Sequence, residues 1–345
     1  MLFERDTKVS ALVLKEDFEL MNNHLTRWGI IGCGAVTEVK SGPAYQQVPG
    51  FSLQGVMRRN VRQAEDYASR HGVERFFDDA DALIADPSID AVYIATPPDS
   101  HKEYGLKVAA AGKPCCIEKP LSPGYSDSLE IFQAFSEANI PLFVAYYRRS
   151  LPRFLKIKEL LDTGAIGAAR HISWHLCKAP SDWDLRGVEN WRTDSKVAPG
   201  GYFDDLASHG LDLFAFLLGE FAEACGVGVN QQGLYTSLDA ISACWQHRSG
   251  VTGSGCWNFG SRHKEDKVVI YGSRGELAFS VFEEQPIVVH TPQHQQEIWL
   301  ENPKHVQFYH VQNMRDALHQ GVSHPSCGRS ALHTSWVMDK ILGKI

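Results

Sequence analysis

At 345 residues, with 43% hydrophobic and 22% charged side chains, the chain is too long for one average core and too balanced for a fibrous or disordered protein. Two globular domains are expected. A formal net charge of -7 without a long basic run argues against a nucleic-acid partner, and no apolar run approaches the roughly 20 residues that cross a bilayer.

Residues 1–24 read as an N-terminal extension. They mix Glu4, Arg5, Asp6, Lys8, Lys15, Glu16 and Asp17 with short apolar pieces, unlike a secretory leader. Within them Lys8 to Lys15 could form a short strand, and Met21 offers a second possible start. The eight cysteines form no Cys-x-x-Cys pair and mostly fall in apolar, strand-like runs, as expected of small buried side chains in a reducing cytoplasm.

A dinucleotide-binding domain is expected over residues 25–148. An apolar strand at 28–31, a glycine turn, a helix-length segment and a strand at 52–57 make a βαβ unit. Further strands at 91–95, 114–117 and 142–145 alternate with helical segments at 102–111 and 126–138, which implies a doubly wound parallel sheet. Over 149–345 the texture changes. A helix at 151–161 leads into longer strands of period-two alternation, for example 171–177, 241–246 and 267–271, which suit an open, largely antiparallel sheet. A helical insertion at 201–218 interrupts them, and late helices at 306–318 and 330–342 are expected to pack back on the first domain. The fold class is therefore α/β with a second α+β domain.

Within the first domain Gly32-Cys33-Gly34-Ala35-Val36 follows a strand, the context in which backbone N–H groups and a helix N-terminus face a pyrophosphate. Thr37 stands where the third glycine of the fingerprint would be, so the turn alone is weak. The second strand ends in Arg58-Arg59 with no carboxylate for the ribose hydroxyls. An acid there would repel a 2′-phosphate and guanidinium groups pair with one, which favours NADP over NAD; two solvated arginines are the plain alternative. Thr96-Pro97-Pro98 and His101 form a rigid loop at the carboxyl edge of the sheet, where ligands bind, although His101 suits a structural role equally well. Glu118-Lys119-Pro120 then ends a strand and sets a lysine beside a bound dinucleotide, while Asp205 and His209 share one helix face four residues apart.

Taken in order, Gly32-Cys33-Gly34-Ala35-Val36, Thr96-Pro97-Pro98 with His101, Glu118-Lys119-Pro120, and the run from Gly200 to His209 followed by Asp212 resemble the Gfo/Idh/MocA oxidoreductases from residue 26 onward. The resemblance implies a Rossmann domain, then a domain whose open sheet covers the nicotinamide and often forms an oligomer interface, with substrate between the two. It also implies catalytic positions at Lys119, Asp205 and His209. The arginine pair departs from NAD-preferring members, whereas a missing third glycine is common in the family. Histidine at position 209, where some relatives carry tyrosine, sides with the inositol dehydrogenase-like and sugar reductase-like branches.

Oxidising a secondary alcohol needs a hydride acceptor and a base, and an imidazole with an ordinary pKa near 6.5 serves in either direction. His209 fits that role, Lys119 the stabilisation of alkoxide character, and Asp205 either a contact to substrate hydroxyls, which is favoured, or the orientation of the imidazole. Tyr146, Tyr147, Arg148, Arg149, Trp174, Trp183, Trp191 and Arg192 are expected where the domains meet. Of these, Tyr146, Arg148, Trp191 and Arg192 are candidates for binding a sugar or polyol, the arginines alternatively for bracing the cofactor or an anionic group on the substrate. Two other functions remain open: transient oxidation by a tightly bound nicotinamide in lyase, glycosidase or epimerase chemistry, and a non-catalytic NADP-binding regulator. The fifteen histidines show no ligand spacing, so no metal is expected, and the open sheet favours a homodimer or homotetramer.

Overall fold

The computed structural model describes residues 25–188 and 190–345. The extension 1–24, with the strand expected at Lys8 to Lys15, lies outside the described residues.

The first half runs β1 (Thr26–Ile31), α1 (Ala35–Val39), α2 (Gly42–Gln47), β2 (Phe51–Met57), α3 (Val61–His71), β3 (Arg75–Phe77), α4 (Ala80–Ala85), β4 (Ala91–Ile94), α5 (His101–Ala110), β5 (Cys115–Ile117), α6 (Tyr125–Glu137) and β6 (Leu142–Val144). Its six strands are all parallel in the order β3-β2-β1-β4-β5-β6. The reversal between β1 and β4 opens a crevice at the carboxyl ends, the place where ligands enter such sheets. Helices cover both faces, so β4, β5 and β6 are buried throughout and their sequences are continuous apolar runs. On one face Trp28 packs against Tyr45 and Phe51 with ring centroids at 4.9 and 5.3 Å. α3 shows how the helices are delimited: Asn60 accepts a hydrogen bond from Gln63 N at its start, and Gly72 closes it in the left-handed region.

The second half runs α7 (Pro152–Asp162), β7 (Ala169–Cys177), α8 (Asp182–Leu185), α9 (Tyr202–Leu218), β8 (Phe221–Val229), β9 (Ala240–His247), β10 (Thr252–Asn258), β11 (Glu265–Gly272), β12 (Glu276–Phe279), β13 (Ile287–His290), β14 (Gln295–Ile298), α10 (Phe308–Gln320) and α11 (Gly328–Ile341). Eight strands form a sheet in the order β14-β13-β12-β11-β7-β10-β9-β8, antiparallel except where β10 lies parallel to β7. The period-two pattern is legible in β10, whose burial alternates residue by residue. β3, α4, β8 and β12 to β14 were not legible in the sequence, because short or half-exposed segments carry too few apolar residues to fix a period.

Three expectations are corrected. Trp174 is not at a domain junction: it is fully buried in the core of the second half, edge-on to Phe214 and Trp257. Trp183 is on the surface, 66% exposed. The cysteines are free and only Cys33, Cys115 and Cys116 are buried; Cys225 and Cys244 are exposed on adjacent strands.

The two halves are bracketed by the chain's end. α10 packs on α2 and on the turn at Tyr147–Ser150, while α11 packs on α6, α9, β6 and β8. At the join, Arg149 grips Asp212 of α9 bidentately at 2.7 and 2.8 Å, and Thr334 of α11 donates to the same carboxylate. Both partners are buried, so removing either would strand a charge, a loss of about 3–5 kcal/mol.

Candidate active site

The crevice at the β1, β2 and β4 ends is a cleft of about 380 Å³ lined by Gly32, Gly34, Arg58, Arg59, Thr96 and Pro97, among others. Gly32 has φ +93, and a Cβ there would stand 2.7 Å from Thr96 Cγ2 and 3.0 Å from the Ala95 backbone, so only glycine fits. Gly34 differs. A Cβ on it would meet nothing nearer than Gly32 O at 3.9 Å, so the cradle is open where a methyl group would stand, a fit for the close approach of a dinucleotide's phosphates. Ala35 and Val36 follow as the exposed first turn of α1, and Thr37 is buried, donating to Gly34 O at 2.8 Å and accepting Tyr67 OH on its carbonyl at 2.9 Å. Arg58 and Arg59 are exposed, Arg58 with one guanidinium nitrogen 3.4 Å from Cys33 O. Pro98 is buried beside this edge. His101 is fully buried, its ring nitrogens 3.0 and 2.8 Å from the carbonyls of Pro120 and Thr96. It ties the β4 and β5 loops together, the structural of its two expected roles, and burial pushes its pKa down.

Glu118 is buried at the end of β5. Its Oε1 accepts from Tyr93 OH at 2.6 Å and from Gln307 Nε2 at 2.7 Å, and its Oε2 from the Lys119 amide at 3.2 Å. This clamp fixes the backbone from which Lys119 reaches α9. The Lys119 ammonium donates to the Asp205 carboxylate and to the Asp205 carbonyl oxygen, the latter at 3.1 Å. The other Asp205 carboxylate oxygen accepts from Arg192 Nε at 2.6 Å, and Arg192 stacks over Trp191 at 4.4 Å. Burial alone would raise the Asp205 pKa, but Lys119 and Arg192 outweigh it and hold the carboxyl far below its ordinary value. Both oxygens of Asp205 are thus engaged by cations. Asp205 sits in an ion triad with Lys119 and Arg192, and it makes no hydrogen bond to the His209 ring.

α9 supplies the Asp205 and His209 faces because Gly201, at φ +66, starts it where a Cβ would lie 2.4 Å from Leu238 O. Gly210 then lets the helix lie on Trp174, whose ring would stand 2.3 Å from a Cβ. His209 is 5% exposed, with its Nδ1 buried and without a partner among the described residues. Its ring meets Tyr147, Phe282 and Tyr146 edge-on at 5.7, 5.8 and 6.2 Å. Burial first, then the cations Arg148, Lys119 and Lys40, push its pKa well below 6.5. The imidazole is neutral at neutral pH, which corrects the expectation of an ordinary histidine. Tyr146 is fully buried and steadies that ring rather than offering a face to a sugar.

Sequence reasoning missed Tyr93 and Gln307, which clamp Glu118, and the aromatic Phe282 beside His209. Gln307 lies 189 residues from Glu118, and no local pattern marks it. Among the described residues no group of three or more His, Cys, Asp or Glu side chains is disposed to hold a metal ion, and no helix is long and apolar enough to cross a membrane.

Known proteins match the chain in family and in fold. An oxidoreductase family with an NAD-binding Rossmann fold matches residues 26–146, and the GFO/IDH/MocA C-terminal domain matches residues 154–278. An oxidoreductase of Formosa agariphila is 37% identical over 92% of this chain and 98% of its own. A 1,5-anhydro-D-fructose reductase of Ensifer adhaerens is 26% identical over 73% of this chain and 75% of its own. Among solved structures, levoglucosan dehydrogenase in complex with NADH and levoglucosan shares the fold with a TM-score of 0.82 at 22% identity, covering 92% of this chain and 96% of that one.

Proposed function

The chain belongs to the Gfo/Idh/MocA oxidoreductase family, and from that premise we propose that it is an NADP-preferring enzyme that interconverts a secondary hydroxyl and a carbonyl on a sugar or polyol. The observation that carries this reading is the approach of Lys119, from the dinucleotide half, to Asp205 on the helix that bears a neutral, buried His209. The sugar-acting relatives support the substrate class.

When bound, the nicotinamide supplies the hydride acceptor or donor. Gly32, Gly34 and the first turn of α1 would cradle its pyrophosphate, and Arg58 with Arg59 would favour a 2′-phosphate on the ribose. In the oxidative direction the neutral His209 takes the proton of the reacting hydroxyl. Lys119 donates a hydrogen bond to the same oxygen as negative charge grows on it, and Asp205 keeps the ammonium aimed. In reduction the roles reverse: His209, first protonated from solvent, gives that proton to the alkoxide and ends neutral. The buried, ring-lined surroundings of His209 keep bulk water from competing for that proton. The exposed face of the second sheet, which carries Val227 and Val229 at 72% and 51% exposure, is a reasonable surface for a homodimer or tetramer.

The test is titration of cofactor-stripped protein with NADPH and NADH, then a panel of sugars and polyols followed at the nicotinamide absorbance, for wild type and Lys119→Ala. Turnover that vanishes in the variant while dinucleotide binding persists supports the proposal. Unchanged turnover in Lys119→Ala would overturn it.

A further inference from the structure

The charges that bear most on His209 are cations: Arg148, Lys119 and Lys40. Arg148 leaves β6 through the turn at Tyr147–Ser150 and is only 6% exposed. Its Nε donates to the Val281 carbonyl at 3.0 Å, but its Nη1 is buried and has no partner among the described residues. The guanidinium lies 5.0 Å from the centroid of Tyr147 and 4.6 Å from that of Phe282. These are the two rings that flank the His209 imidazole at 5.7 and 5.8 Å. The unpaired donor and the proposed base therefore share one aromatic wall.

Arg192 stands at the opposite side of the triad, its Nε on Asp205 and its side chain 36% exposed. Arg148, Arg149, Lys119, Arg192 and Lys40 carry five positive charges against the three negative charges of Glu118, Asp205 and Asp212, an excess of two. The chain as a whole carries -7, so this local excess runs against its general charge. A buried guanidinium donor without an acceptor is costly, a loss that an arriving acceptor would recover.

We infer that the substrate is an anionic sugar, whose charged oxygens take the free edge of Arg148 and the positive field shared with Arg192, holding the reacting hydroxyl between Lys119 and His209. This rests on the reading of the site as one that oxidises or reduces a sugar, and specifies it. A planar carboxylate of a hexuronate matches the guanidinium fork, and a sugar phosphate presents the same acceptor chemistry.

The experiment is calorimetric titration of protein saturated with NADPH, so that the arginines of the dinucleotide cleft are occupied, with glucuronate, glucose 6-phosphate and glucose. In the wild type at least one anion is expected to bind roughly tenfold or more tightly than glucose, less so at high ionic strength. Glucuronate ahead identifies a carboxylate as the recognised group, and glucose 6-phosphate ahead a phosphate. Arg148→Met is expected to abolish the preference while glucose binding stays within about threefold. Should that variant not fold, Arg148→Lys, which keeps the buried charge and loses the planar fork, is expected to cut the preference at least roughly threefold, and an unchanged preference in it overturns the inference. Equal wild-type affinity for glucose and both anions, or a preference intact in a folded Arg148→Met protein, overturns the inference. Hydride transfer is read separately: anion preference without turnover of any sugar would remove the proposed function and leave the inference standing, and turnover without preference would do the reverse.

Discussion

Asp205 holds Lys119 with two of its own oxygens, one from the carboxylate and one from the backbone carbonyl at 3.1 Å. Two acceptors fix the ammonium in direction. They do so across the two halves of the chain, so the site is complete only when α9 is docked. Lys119→Ala is therefore expected to lower kcat by about 10²–10³ while the NADPH Kd stays within about threefold, measured by steady-state kinetics and fluorescence titration.

Asp205→Asn leaves Lys119 and Arg192 facing each other without their anion. Both Asp205 and Lys119 are largely buried, so the loss of stability is expected to be about 3 kcal/mol, read from the urea midpoint. Activity is expected to fall as well, and a Lys119→Met, Asp205→Leu double variant to recover stability without recovering turnover.

Gly32 and Gly34 separate folding from binding. Gly32→Ala forces a Cβ against Thr96 and the Ala95 backbone at φ +93, with an expected cost of about 1–3 kcal/mol. Gly34→Ala meets open space, so the urea midpoint is expected to hold while NADPH binding weakens roughly tenfold, because the methyl group occupies the cradle.

Arg58 lines the same cleft in an exposed position. Arg58→Ala is expected to raise the Kd for NADPH by about tenfold and leave that for NADH within about twofold, the difference shrinking at high salt. Tighter binding of NADH than NADPH by the wild type would refute the NADP preference.

Six histidines, 101, 209, 247, 310, 324 and 333, have pKa values lowered chiefly by burial, His247 and His324 to about 4. Because each folded value lies below the unfolded 6.5, the unfolded chain binds more protons between them, and stability falls as pH drops from 6.5 through the folded values. Asp204, raised to about 6 by burial, and Asp212, raised by burial as well, act with the opposite sign but are two groups against six. The urea midpoint is expected to be clearly lower at pH 5 than at pH 7.5. For the same reason the acid limb of oxidative kcat/KM is expected below pH 6.5, where an ordinary histidine would already be half protonated.

The sequence by itself determined the order of parts. Parallel strands covered on both faces must be written as apolar runs, a positive-φ turn such as that at Gly32 must be written as glycine, and residues four apart such as Asp205 and His209 must share a helix face; each is a local rule with a local signature. The tertiary structure decided what those residues do to one another. Lys119 and Asp205 are 86 positions apart, Glu118 and Gln307 are 189, and Arg148 reaches the Val281 carbonyl across 133. Nothing in a short window records such meetings. The engagement of Asp205 by two cations, the neutrality of His209 and the unpaired edge of Arg148 all arise from burial and Coulomb interaction, which depend on distance in space rather than on separation along the chain.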